Sequence, residues 1–153
     1  MTPSPDPSVP SSLPRLQGPA LLGLDPGRAK CGLAIVGIDR ALHYHEVVPV
    51  EQVAKTIGKL RDRYPVSAIV LGDQTGSKQW SKTLSELPNA PTIRLVDERY
   101  SSLEARDRYW KMYPPKGLGK LLPQSLRSIP RPIDDIVAIL LVERYLKRLT
   151  GDD

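Results

Sequence analysis

Carboxylates stand at three separated points of the chain: Asp25, the pair Asp97-Glu98, and the pair Asp134-Asp135. Asp25 ends the apolar run Leu21-Leu22-Gly23-Leu24, Asp97-Glu98 follows Leu95-Val96, and Asp134-Asp135 opens the run Ile136 to Val142. Acids brought together from separate elements repel strongly unless a cation lies between them, and their hard oxygens suit Mg²⁺ or Mn²⁺. Two such ions roughly 3.5–4 Å apart can activate a water and stabilise the leaving oxygen in phosphodiester cleavage. Each acid also has an ordinary explanation. Asp25 could pair with Arg28 or Lys30, Glu98 with Arg94 or Arg99, and Asp134 could cap a helix. Singly, those pairings are the commoner case. The combination, with a basic segment free of acids between the last two groups, favours the metal site.

The elements that must position these acids follow from pattern. Leu21 to Asp25 and Cys31 to Ile38 flank a Pro-Gly turn and read as a hairpin, and Asp39-Arg40 turns into a third strand from Ala41 to Pro49. Val53, Ile57, Leu60 and Tyr64 recur at helical spacing, and Pro65 closes that helix. Val66 to Gly72 and Thr92 to Asp97 read as buried strands, with a polar loop at 73–79 and a helix to about Leu87 between them. Backbone amides of that loop could hold a phosphate, although an ordinary strand-to-helix loop has the same composition. Ser101-Ser102-Leu103-Glu104 has the spacing of a capping box opening a helix with Leu103 and Trp110 on one side. The last helix begins at Ile133-Asp134-Asp135, its acids in the first turn where the macrodipole favours them. Three strands in hairpin succession followed by βαβα imply a mixed sheet with helices on both faces.

On a strand Asp97 and Glu98 point to opposite faces, so only one can join Asp25. Asp134 and Asp135 lie about 100° apart on a helix and need not converge either. His43 and His45, two apart on one strand, read as edge or surface residues because no third ligand supports zinc. Cys31 fits the apolar alternation of its strand as a small buried side chain.

The chain has 153 residues and a formal net charge of +5, with a pI of about 9.4, a balance that suits an anionic partner. Residues 1–19 hold six prolines among serines and read as a disordered tail, leaving 20–150 as one domain. Residues 111–131 have no period and no acid, but carry Lys111, Lys116, Lys120, Arg127 and Arg131. Without local counter-charges these side chains, with Arg28, Lys30 and Lys78, could hold a phosphate backbone. Nothing in the sequence has the length or pattern of a membrane span or a secretion signal, so a cytoplasmic protein is expected.

Over residues 20 to 148 the sequence resembles the YqgF/RuvX-like Holliday-junction-resolvase family of the RNase H-like superfamily. The likeness rests on Gly23-Leu24-Asp25-Pro26-Gly27 with Gly32-Leu33-Ala34, Leu71-Gly72, Val96-Asp97-Glu98-Arg99 with Ser102-Leu103-Glu104-Ala105, and Ile133-Asp134-Asp135 before Ala138. It implies an RNase H-like five-stranded mixed sheet, with Asp25, Glu98 and Asp134 as metal ligands and catalytic acids; the doubled Asp134-Asp135 leaves two candidates for the third ligand, register favouring Asp134, with Asp135 as a further candidate acid. It further implies a nuclease using Mg²⁺ or Mn²⁺, in a two-metal site, that acts in DNA recombination and repair or trims the 5′ end of pre-16S ribosomal RNA. Partners would be RNA, or branched or single-stranded DNA, with no membrane; a homodimer is one form it could take. The alternative is a nucleic-acid-binding module on the same scaffold that does not cut. Two departures stand out. Gly72-Asp73-Gln74-Thr75-Gly76 replaces the family's common Gly-(Leu or Phe)-Pro, and RuvC-type resolvases space their two last acids three apart, not adjacent.

Overall fold

The computed structural model describes residues 18–74 and 76–151. The proline-rich stretch 1–17 lies outside them, and with it most of the expected tail. Pro19 already belongs to the fold, its carbonyl accepting the Ile38 N–H at 3.2 Å.

Five strands form one sheet: β1 (Ala20–Asp25), β2 (Lys30–Gly37), β3 (Leu42–Pro49), β4 (Val66–Gly72) and β5 (Ile93–Val96), in the order β3-β2-β1-β4-β5. β2 runs antiparallel to both β1 and β3, while β1, β4 and β5 are parallel. Hairpin turns explain the first half, and helical crossovers explain the second. The helices are α1 (Val53–Arg63), α2 (Ser77–Ser85), α3 (Ser101–Met112) and α4 (Asp134–Thr150).

Strand alternation builds a core on each face. Ala20, Leu22, Leu24, Cys31, Leu33 and Ile35 pack with Val53, Ile57 and Leu60 of α1 and Leu84 of α2. Leu21, Ala34, Val36 and Val70 pack with α4 and with Ala105 and Tyr109 of α3. α4 is apolar nearly all round, as a helix laid across a sheet and against a neighbouring helix must be. No helix among the described residues is long and apolar enough to cross a membrane.

Four local expectations are corrected. β5 is an edge strand, so Leu95 is 45% exposed instead of buried. α3 has no capping box: Ser101 is already its first helical residue, Tyr100 precedes it in the left-handed region at φ 62°, and no side chain caps the end. Its inward face is Ser101, Ala105 and Tyr109, leaving Leu103 64% exposed. Finally, a bulge in β3 pairs Ile35 with Tyr44 but Val36 with Leu42, leaving His43 as the extra residue. The two histidines therefore part company. His43 is buried beside Tyr64 at the end of α1, and His45 meets α4 on the other face.

Candidate active site

β1, β4 and β5 are parallel, so their C-terminal ends open on one edge of the sheet. Asp25 is the last residue of β1 and pairs with Gly32 across the hairpin. Since Leu22 and Leu24 face α1, while Leu21 faces α4, alternation puts Asp25 on the α4 face. That face is bared by two glycines. A Cβ on Gly23 would overlap the Ala138 carbonyl, and one on Gly32 would overlap the Asp134 carbonyl. α4 can thus lie directly on β1 and β2, and its first turn reaches the end of the sheet that carries Asp25.

β5 ends at Val96, level with Gly72 of β4. Asp97 then turns outward to an ion pair with Arg99 at 3.0 Å, and hydrogen bonds from Arg99 hold its carboxyl below the usual range. Glu98 turns inward over Gly72, whose Cβ, if present, would lie 2.6 Å from Oε2. Its Oε1 accepts the Gln74 N–H at 2.9 Å, so that loop amide serves Glu98 and not a phosphate. Burial pushes the Glu98 carboxyl up, the Gln74 bond opposes this, and Asp73 and Asp97 add to it.

Asp25 feels both of the other acids. Asp25 is pushed up from 3.8 to about 7, first by burial, then by the charges of Asp134 and Glu98. No hydrogen bond or ion pair holds the Asp25 or Asp134 carboxylate among the described residues. The ordinary explanations therefore fall away: Arg28 does not pair with Asp25, Arg99 takes Asp97, and Asp134 caps nothing.

Asp135 has different company. It is 2% exposed, and its Oδ2 lies 2.7 Å from Nδ1 of His45 while its Oδ1 accepts from Arg131 at 3.1 Å. Burial alone would raise its pKa, but these two partners outweigh it and hold the carboxyl low. Of the adjacent pair, Asp134 faces the sheet edge and Asp135 is engaged. The expectation that Arg131 lacks a local partner is corrected by the same contact. Arg127 is also tied down, its Nε donating to the Gly119 carbonyl at 3.0 Å with its guanidinium 5.5 Å from the Trp110 ring. Arg28, Lys30, Lys78, Lys116 and Lys120 are exposed. Arg28 and Lys30 flank the β1–β2 turn beside Asp25, and Lys78 lies in the first turn of α2.

Sequence reasoning missed what braces the β5 end. Arg144 donates to the Asp97 carbonyl at 2.7 Å and pairs with Glu104 at 3.1 Å, and Arg148 donates to the Leu95 carbonyl at 3.2 Å. Two arginines four apart on α4 thereby hold the segment leading into Glu98. Their i, i+4 spacing was the available signal.

A hard divalent cation suits this donor set: three carboxylates from three elements, half-buried, and two of them unpartnered. As placed, however, no three His, Cys, Asp or Glu among the described residues are grouped closely enough to hold a metal ion.

The fold is of the RNase H-like class. The chain is similar to T. thermophilus RuvC in complex with a Holliday junction substrate, with a TM-score of 0.57 and 18% identity over 88% of this chain and 98% of that one. It is similar also to a second Thermus thermophilus RuvC structure, with a TM-score of 0.50 and 14% identity over 86% of this chain and 96% of that one. At such identities the fold is what is shared. No protein-family profile and no curated protein matches the chain.

Proposed function

We propose that the protein is a divalent-metal-dependent nuclease that hydrolyses phosphodiester bonds in structured nucleic acid, with Asp25, Glu98 and Asp134 as its ligands. One observation carries the reading: the half-buried Asp25 carboxyl, with no ion-pair partner among the described residues, is raised by the charges of Glu98 from the β5 end and Asp134 from α4. Such an arrangement is costly unless a cation compensates it. Mg²⁺ or Mn²⁺ bound there, singly or as a pair, would supply a more acidic water and Lewis-acid stabilisation of the leaving oxygen. The chain's own part is to hold its acids ready. The β1 hairpin fixes Asp25, the Gln74 amide orients Glu98, and the packing of α4 on Gly23 and Gly32 presents Asp134.

Exposed Arg28, Lys30, Lys78, Lys116 and Lys120, with Arg127 and Arg131 behind them, would carry the phosphate backbone across this edge. The YqgF/RuvX-like motifs and the RuvC fold together support RNA, or branched or single-stranded DNA, as substrate. The role would be pre-16S ribosomal RNA processing or DNA recombination and repair, in the cytoplasm, as a monomer or homodimer. A binding module without cleavage is the second reading. It is favoured by the acids not being drawn into a ligand set as they stand.

The test is incubation of labelled pre-rRNA, single-stranded DNA and a four-way junction with Mg²⁺, Mn²⁺ or EDTA. Cleavage of at least one substrate with metal, none with EDTA, and abolished cleavage in Glu98→Gln with the fold intact are expected. Binding without cleavage by the wild type would establish the module instead.

A further inference from the structure

Between α3 and the segment that leads into α4 lies a cleft of about 470 Å³. Its lining includes Arg106, Arg127 and Arg131 with the hydroxyl residues Ser125 and Ser128, and no carboxylate. The Arg127 and Arg131 guanidiniums are tethered, not loose. Arg131 donates to the Pro132 carbonyl at 2.6 Å and lies 5.7 and 5.6 Å from the Tyr109 and Tyr113 rings. Arg127 is fixed by Gly119 and Trp110 as described, and Arg106 donates to the Arg127 carbonyl at 3.5 Å. Asp135 balances Arg131. Asp107, beside Arg106 in sequence, is engaged by the Gln124 amide. Neither Arg106 nor Arg127 has a carboxylate partner among the described residues, so the cleft carries uncompensated positive charge, and the Arg127 fork is pre-oriented. A planar guanidinium already held by one edge loses little freedom when its other edge takes up an oxyanion.

We propose that this cleft is a phosphate subsite, in which Arg106 and Arg127, assisted by the Ser125 and Ser128 hydroxyls, bind one phosphate group of a nucleic-acid strand. The inference rests on the nucleic-acid reading above and adds residues to it: Arg106 and the two serines. The phosphate is either an internal diester or a terminal monoester, chemistry the same guanidiniums recognise. The cleft lies on the segment running directly into Asp134, so a strand anchored there is led toward the sheet edge. Arg131 forms part of the wall but stays committed to Asp135.

The test uses fluorescence anisotropy of labelled single-stranded oligonucleotides with a 5′-hydroxyl or a 5′-phosphate, from low to moderate salt, in EDTA so that cleavage plays no part. Wild type is compared with Arg106→Gln and with Arg106→Gln/Arg127→Gln; the single variant changes an exposed side chain and should fold normally. Weaker binding is expected in both. The log–log salt slope should fall by roughly 0.7 for the single and about 1.4 for the double variant. A loss confined to the 5′-phosphorylated strand assigns the site to a terminal monoester, and an equal loss for both strands assigns it to a diester. Affinity and slope unchanged in Arg106→Gln and the double variant would overturn the proposal, whatever the cleavage assay shows. Conversely, a wild type that never cuts while these slopes fall leaves the subsite standing and removes the nuclease. A wild type that binds neither oligonucleotide overturns both.

Discussion

The Asp134 carbonyl fills the space where a Cβ on Gly32 would stand: any side chain on the strand residue would overlap the first turn of the helix. Because Gly32 is also the cross-strand partner of Asp25, this one close approach sets how two acids from distant parts of the chain meet. Gly32→Ala should push the start of α4 off the sheet, costing about 1–3 kcal/mol as an overpacked core does. Gly58, on the exposed side of α1, has nothing within 4 Å of its would-be Cβ. There the same change should stabilise by about 0.5–1 kcal/mol through helix propensity. Urea unfolding of the two variants reads the contrast, and equal effects would refute the packing argument.

The pH dependence of stability should show Asp25. Its folded pKa of about 7 lies above the ordinary 3.8, so the native chain keeps that proton to higher pH than the unfolded chain does. Its contribution is therefore fully present below pH 3.8, declines as pH rises toward 7, and stays lost above. Asp25→Asn removes that decline. Without metal at pH 8 it should be the more stable protein by about 2–4 kcal/mol, and at pH 4 nearly equal to wild type. Unfolding curves at both pH values, in EDTA, check this; a constant difference would contradict it.

Asp135 behaves in the opposite sense. Its depressed pKa contributes stability above the ordinary carboxylate range, lost as pH falls through and below it. His45→Ala or Arg131→Ala leaves this buried carboxylate with one partner fewer, and each should cost about 1.5–3 kcal/mol at pH 7. Lys116→Ala, on an exposed side chain, should stay within about 0.5 kcal/mol. Thermal melts of the three variants separate the inward base of the loop from the outward ones.

Much of this was legible in the sequence. Leu21 to Asp25 alternates between two covered faces, the stripe Val53, Ile57 and Leu60 buries as its spacing requires, and the element order dictates the mixed sheet. What was not legible depends on partners distant in sequence. Nothing local says that β3 bulges at His43, and so nothing local sends His45 to α4. Without His45 in place, the choice between Asp134 and Asp135 rests on register alone. Leu95 looked buried because an apolar edge strand and an apolar central strand read alike until the strand order is known. Ser101 had the spacing of a cap, but the left-handed turn at Tyr100 starts the helix one residue earlier in the pattern, which places Ser101 inside. The sheet edge itself could be anticipated from strand ends; for the arginine brace the spacing of Arg144 and Arg148 was visible, but not the β5 carbonyls they reach.

Binding of Mn²⁺ tests the central claim most directly, since the three acids are held to be a cation site whether or not the substrate is known. Calorimetric titration at pH 7, in two buffers of different ionisation enthalpy, should show Mn²⁺ binding to wild type with net proton release as Asp25 ionises fully. Asp25→Asn and Glu98→Gln should each bind far more weakly, the former with no proton release. Absence of binding by the wild type, or equal binding and proton release by all three proteins, would contradict the assignment of Asp25, Glu98 and Asp134 as a metal site.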